Sequence, residues 1–519
     1  MTARLFSATV QGIDGVEVEV EVDVRPGEET RRFIVGLPDA AVRESLQRVE
    51  SALTNSGFGS VPGTMLVNLA PADLKKQGPG FDLPIALGGL LAARAQTRAR
   101  GKEAPQEPEA DAASWCIVGE LGLNGEVRPV RGILSLALEA RGRGRRRLMA
   151  PRANADEAAA VDGVEVYPVG TLREAWQLLL SPESGMPHRR AVRSAPAEAG
   201  ADFSEIKGQP FARRAMEIAA AGLHNLLMCG SPGSGKSMLA RRLPTILPPL
   251  TPDEALEASK IHSICGLLPK GGGLLTERPF RAPHHTISDA GLMGGGSQIT
   301  PGEVSLAHHG VLFLDELPEF RRQTLETLRQ PLEAGEAAIA RASGSVTFPC
   351  RFMLAAAMNP CPCGYRGDPR HACHCRPADV ARYRRRISGP LLDRFDLLFE
   401  VPAVPAADLL ENRPGESSAA IRGRVLEARA RQEFRYRRER FSCNAQLSGR
   451  ALRAHCPLDR AMTSLLLDAV ESLSLSARAF DRILRVARTI ADLAGRERPA
   501  EGDLYEAIQF RSFEVQLRL

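Results

Sequence analysis

The stretch HNLLMCGSPGSGKSMLARRL, residues 224–243, decides the fold. A short apolar run, a glycine-rich turn and a helix-forming segment follow one another without a break. Gly230, Ser231, Pro232, Gly233, Ser234, Gly235, Lys236 and Ser237 fit the spacing G-x-x-x-x-G-K-[ST]. Glycines let successive backbone N–H groups curl round phosphate oxygens at the start of the helix. Lys236 is placed to reach the β- and γ-phosphates of a nucleotide, and Ser237 to ligate Mg2+. The plainer alternative, a chance glycine-rich turn, gives no reason for the flanking strand and helix.

Four further motifs extend this reading. GVLFLDEL (310–317) delivers Asp315 and Glu316 at the end of an apolar strand. Asp315 is the expected Mg2+ partner, and Glu316 the group that polarises the attacking water; a buried strand ending in two solvated acids is the alternative. RFMLAAAMN (351–359) ends on Asn359, either a water-orienting amide beside the γ-phosphate or a turn residue. ISGPLLDRFDLLFEV (387–401) places Arg394 just before another strand. Its fork of donors suits a phosphoryl group developing charge, acting in trans, or a salt bridge to Asp393 or Asp396. SARAFDR (476–482) puts Arg478 at a helix start, positioned either to fold back on the nucleotide or to face solvent.

The chain has 519 residues, 44% of them hydrophobic and 25% charged. At roughly 150 residues per domain this predicts about three domains. No apolar run approaches the ~18 residues of a membrane span, and the opening MTARLFSATVQG has no signal-peptide pattern. Ten cysteines in this length are too few for a secreted disulfide framework, so a cytoplasmic protein with reduced thiols is expected. The net charge of +5 permits nucleic-acid contact without arguing for it.

Periodicity sets the organisation. VEVEVEVDV (16–24) alternates with period two, a strand with one wet face. Val42, Leu46, Val49 and Leu53 form one helical stripe behind a cap at Asp39. The segment 97–114 is polar and Pro-containing, and 181–203 is rich in Ser, Pro, Gly and Ala. The predicted fold class is mixed α/β. An α+β domain over 1–180 is followed by a linker (181–203), an α/β core with a parallel sheet (204–405) and an all-helical domain (406–519).

CPCGYRGDPRHACHC (361–375) raises a separate question. Cys361, Cys363, Cys373 and Cys375 are spaced C-x-C-x9-C-x-C, and four thiolates suit a structural tetrahedral Zn2+. His371 and His374 are alternative ligands, and a reduced thiol loop is the other reading. A bound zinc would pin the loop that follows Asn359.

Together GSPGSGKS, GVLFLDELPEF, AMNPCPCG and RISGPLLDRFDL resemble the ComM/YifB family of magnesium-chelatase-like AAA+ ATPases. RPFRAPHHT (278–286) and GGGSQITPGEVSLAHHG (294–310) strengthen the likeness. The resemblance implies ATP and Mg2+ as cofactors, Asn359 as sensor 1, Arg394 as arginine finger and Arg478 as sensor 2. It also implies a homo-hexameric ring, and a motor that moves branched DNA during recombination and natural transformation. A chelatase-type ATPase subunit and an AAA+ protein remodeller are the alternatives. The basic runs 141–147, 382–386 and 434–440 suit DNA phosphates, Tyr383 and Tyr436 are candidates to stack on bases, and 291–303 is a candidate pore loop.

VNLAPADLKKQGPGFDLPIA (67–86) and VGELGLNGEVRPVRGIL (118–134) are similar to the Lon proteolytic domain. That resemblance puts Gly80 at the nucleophile position and Leu134 at the lysine position. Neither can serve a Ser-Lys dyad, so peptide hydrolysis by the purified protein should stay at the buffer-only rate in a fluorogenic peptide assay.

Overall fold

In Asp14–Arg25 the valine–acid alternation becomes a long strand. Val18, Val20, Val22 and Val24 are fully buried while the acids between them stay partly exposed. The computed structural model describes residues 2–27, 29–99, 111–189, 202–269, 273–296, 299–341, 344–404, 415–473 and 476–518. Residues 100–110 of the polar stretch and 190–201 of the expected linker lie outside them. The chain divides into two compact units, Met1–Ser194 with Ala255–Leu275, and Ala195–Glu254 with Thr276–Leu519.

The first unit holds a four-stranded sheet in the order Thr2–Gln11, Asp14–Arg25, Thr64–Ala70, Arg31–Val35. The first three strands pair antiparallel and the last pair is parallel. Asp39 caps the helix Ala40–Asn55 by accepting from the Val42 N–H at 2.8 Å. The predicted stripe of Val42, Leu46, Val49 and Leu53 is buried in the sheet's core. A second helix, Asp82–Ala99, starts at a buried carboxylate that Arg48 grips with two hydrogen bonds of 2.7 and 3.0 Å. Trp115–Ile117, Arg147–Pro151 and Glu165–Val169 form a separate parallel sheet. Ala255–Leu275 falls within the predicted 204–405 core but groups with this first unit instead. There Ser263 accepts from the Gly132 N–H at 3.2 Å and bonds Glu157, and Lys260 pairs with Asp14.

The second unit is built on a five-stranded sheet, all parallel. Its order is Phe280–Arg281, Val311–Leu314, Met353–Met358, Leu226–Cys229, Leu397–Glu400. Both faces are covered, which is why these strands read as unbroken apolar runs. Leu226 and Met228 enter one core with the helices Pro210–Gly222, Lys236–Ile246, Ser418–Tyr436, Ala477–Leu493 and Glu501–Arg518. Leu227 and Cys229 enter the other. The helices after residue 417 thus share a core with the sheet rather than forming one of their own. Among the described residues no helix is long and apolar enough to cross a membrane.

The helix Ala477–Leu493 is capped by Ser476 and followed by Gly495 at φ +72°, the left-handed position at which glycine ends helices. Near its end Asp492 is fully buried. It accepts from Arg488 at 2.7 Å and from Asn444 at 2.9 Å, and pairs with Arg435. Removing one member of a buried ion pair leaves uncompensated charge. Asp492→Ala is therefore expected to destabilise the protein by about 3–5 kcal/mol, read as a lower midpoint in urea unfolding.

Candidate functional site

Parallel register sets the site. Cys229 lies level with Met358 on one side and Glu400 on the other, so the loops leaving these strands emerge along one edge. The turn Gly230–Gly235 runs from Cys229 into the helix Lys236–Ile246. Gly230 is required by close approach, since a Cβ there would sit 2.3 Å from the Val401 carbonyl oxygen. Gly235, at φ +93°, is required by conformation.

Lys236 is buried, and its Nζ donates to the carbonyls of Gly230 at 2.7 Å and Ser231 at 3.0 Å, and to Asn359 Oδ1 at 3.3 Å. Burial pushes its ammonium below the ordinary lysine value. Ser237 Oγ donates to Asp315 Oδ2 at 2.6 Å, and the other oxygen of Asp315 accepts the Glu316 N–H at 3.0 Å. Glu316 adopts a left-handed backbone (φ +53°), uncommon for a non-glycine residue, and leaves its carboxylate half exposed. The expected residues of three strand ends therefore converge on the turn.

The geometry fits a Mg2+–nucleotide. Ser237 and Asp315 offer the hard oxygen ligands that Mg2+ takes. Ser234 Oγ is buried without a hydrogen-bond partner, inside the turn that would cradle phosphate. A Mg2+ ion held by Ser237 and Asp315 would supply positive charge to offset charge developing on a phosphoryl group. Lys236 stands beside Asn359 and is largely shielded from bulk solvent.

Two residues with no local signature belong to this site. Gln209, itself left-handed at φ +52°, donates from Nε2 to the Ser234 carbonyl at 2.5 Å and the Pro402 carbonyl at 3.1 Å. His285, within RPFRAPHHT, places Nδ1 3.3 Å from Glu316 Oε2.

Arg394 and Arg478 stand elsewhere. Both the P-loop strand and the strand Leu397–Glu400 run the same way, so Arg394, before the latter, is at the opposite edge of the sheet from Gly230. A four-residue strand, about 10 Å long, separates these edges. Arg394 pairs with Glu333, not with Asp393 or Asp396 as its neighbours suggested. Asp396 instead faces His224 at 3.3 Å and Arg482 at 3.6 Å; burial alone would raise its pKa, but these partners hold it well below the usual carboxylate range. Asp393 pairs with Arg478 at 3.5 Å, so Arg478 shares the Arg394 edge and does not fold back on its own chain's turn. Asn225 ties this edge together by accepting from the Leu354 N–H at 2.8 Å and donating to the Arg394 carbonyl at 3.1 Å.

The cysteines of 361–375 come together. All four Sγ atoms lie within 4.8 Å of one another, and Cys361 is buried. His371 is outside the cluster, 3.5 Å from Asp368, and His374 is exposed.

The expected nucleic-acid contacts fare differently. Tyr383 and Tyr436 are both buried, Tyr436 donating to Asn444 Oδ1 at 2.6 Å, so neither presents a ring to a base. In 141–147, Arg145 binds Glu17 at 2.8 Å and lies 3.5 Å over Phe6, while Arg143 binds Glu139 at 2.8 Å. In 382–386, Arg386 binds Glu319 at 2.8 Å. The candidate pore segment forms a short pairing of Gly294–Gly295 with Thr300–Pro301, and its residues 297–298 lie outside the described residues.

A doubly covered parallel sheet with this turn and these strand-end carboxylates fits a P-loop α/β core. Comparison with known proteins agrees. Residues 202–409 match the family described as "Magnesium chelatase, subunit ChlI", residues 20–154 "Subunit ChlI of Mg-chelatase", and residues 415–511 "Magnesium chelatase, subunit ChlI C-terminal". The uncharacterized protein YifB of Salmonella typhimurium is 41% identical over 514 residues, covering 99% of this chain and 97% of its own. The competence protein ComM of Haemophilus influenzae is 41% identical over 516 residues, covering 98% and 97%. A magnesium-chelatase 38 kDa subunit of Rhodobacter capsulatus is 26% identical over 267 residues, 44% of this chain and 69% of its own. The chain belongs to the ComM/YifB family of magnesium-chelatase-like proteins.

Two substitutions separate binding from chemistry at this site. Lys236→Ala is expected to abolish detectable binding of a fluorescent ATP analogue. Glu316→Gln should bind it as the wild type does, while turnover falls by about 10²–10⁴-fold; undiminished turnover would remove Glu316 as the base.

Proposed function

We propose that this protein is a cytoplasmic ATP-hydrolysing AAA+ motor that works as a homo-hexameric ring and drives branch migration of DNA intermediates. The observation that carries the ring is the separation of the arginines from the turn. Lys236, Ser237, Asp315, Glu316 and Asn359 sit at one edge of the sheet, and Arg394 with Arg478 at the other. Arranged head to tail, one copy brings its arginine edge to the nucleotide edge of the next. Arg394 then meets the γ-phosphate as charge develops, and its pairing with Glu333 holds it in reserve. Arg478 acts from the same side. In this reading 1–180 is a Lon-like unit without peptidase chemistry, 204–405 apart from Ala255–Leu275 the ATPase core and 406–519 the lid, and the four-cysteine loop carries a structural Zn2+.

The DNA substrate is supported by likeness to ComM, a competence protein, over nearly the whole length of both chains. The chelatase-type reading is supported by the family descriptions, but the chelatase subunit aligns with only 44% of this chain.

Two experiments test the proposal. ATP turnover is measured with and without a synthetic four-way junction, and the DNA products are run on a gel. Stimulation with ATP-dependent resolution of the junction is expected. Turnover indifferent to DNA with the junction intact sinks the motor and moves the chelatase-type and protein-remodelling readings ahead. Separately, Lys236→Ala and Arg394→Ala subunits are mixed. Each alone should be inactive, and the mixture should regain turnover, because intact turn and intact arginine then meet across an interface. No recovery means that Arg394 does not act in trans.

A further inference from the structure

The loop that follows Asn359 does more than carry cysteines. The sulfurs of Cys361 and Cys363 are 3.3 Å apart, Cys361 and Cys373 3.6 Å, and Cys363 and Cys373 3.7 Å. Tetrahedral zinc with Zn–S bonds of about 2.3 Å requires S···S edges of about 3.8 Å. The cluster is therefore close to the ligand geometry before any ion is placed, and far too open for a disulfide, whose S–S length is about 2.05 Å. The backbone is arranged for thiolates. The Cys363 N–H points at Cys375 Sγ at 3.4 Å, the Arg366 N–H at Cys361 and the Tyr365 N–H at Cys363, while the Gly364 N–H donates to the Cys361 carbonyl at 2.9 Å. Such N–H···S contacts orient ligand sulfurs and offset their negative charge.

The second observation is where this loop leans. Gly364, at φ +88°, lies against the ring of Pro232 in the phosphate-binding turn; a Cβ there would come within 2.7 Å of both Pro232 Cγ and Cδ. The Asp368 carboxylate accepts the Arg370 N–H at 2.8 Å and the side-chain hydrogen bond of Ser231, also in the turn. Tyr365 stacks with His371 at 4.8 Å, closing the loop on itself. The turn thus has Gln209 on one flank and the cysteine loop on another.

We propose that Cys361, Cys363, Cys373 and Cys375 bind one zinc ion, and that the zinc-bound loop is a support of the phosphate-binding turn, so that zinc occupancy sets how tightly the turn holds nucleotide. This rests on the reading of Gly230–Ser237 as a nucleotide loop. The ion's chemistry is structural: four protein ligands leave no open position. Its effect travels through Gly364 on Pro232 and Asp368 on Ser231. Without it, the segment between Cys363 and Cys373 has no cross-link and the turn loses one wall.

The test uses the full chain purified without chelator. Metal analysis should find about one zinc per chain, and Co2+ exchanged into the site should show thiolate-to-cobalt absorption. The double variant Cys373→Ser/Cys375→Ser should lose both signals, and its affinity for a fluorescent ATP analogue should fall by about 10–100-fold. Because that variant risks misfolding, two controls carry the same point. Wild-type protein stripped by chelator should lose affinity and regain it on zinc addition alone. Asp368→Asn should keep its zinc and still bind nucleotide more weakly. Absence of zinc with no cobalt–thiolate band overturns the metal site. A stripped protein that binds nucleotide like the loaded one overturns the coupling. Wild-type protein that holds zinc but binds no nucleotide removes the nucleotide reading, and with it the coupling, while leaving the metal site established.

Discussion

Everything at the candidate site depends on one constraint, the parallel register of Leu226–Cys229 between its two neighbours. Because the strands run the same way, their ends deliver different chemistry to the same edge. Cys229 releases the turn and Met358 releases Asn359. The strand ending at Leu314 delivers Asp315 and Glu316. The lysine that results is a buried cation in a low-dielectric place. It is tolerable because two carbonyls and an amide oxygen surround it. Those acceptors are all neutral, whereas a carboxylate in the same place would pair with the charge outright.

The same register explains the arginines. The edge opposite the turn is a second polar layer, stitched by Asn225 and supplied with Arg394, Arg478 and Arg482. Each has a carboxylate partner, Glu333, Asp393 and Asp396 in turn. Arg478 is largely exposed, whereas Arg394 and Arg482 are mostly buried against their partners. Arg488 with Asp492 is of another sort: both side chains are fully buried and tie three segments together.

What was legible in the sequence was whatever has a local pattern. The valine–acid ribbon, the helix stripe behind Asp39 and the unbroken apolar strands all follow from period and burial, which act over a few residues. The turn was legible because its chemistry is contiguous. The partners were not. Glu333 lies 61 residues before Arg394 in the chain, and no spacing rule connects them. Tyr383 and Tyr436 sit among arginines, which suggested a nucleic-acid surface, yet tertiary packing takes the rings inward and gives Arg145 and Arg435 to Glu17 and Asp492. Gln209 and His285 were invisible for the same reason: each acts across a distance that only folding closes.

The seating of Ala255–Leu275 in the first unit has a consequence for how the protein can be divided. The backbone crosses from one unit to the other three times, after Ser194, after Glu254 and after Leu275. A single cut in the linker therefore does not yield two complete pieces. A fragment beginning at 202 would carry Leu256 and Leu274 without the first-unit core against which they pack. A fragment ending at 189 would lack the helix that covers part of its own core. The two units are thus modules in space but not in sequence, and recombination between relatives would exchange them intact only by crossing over at all three boundaries.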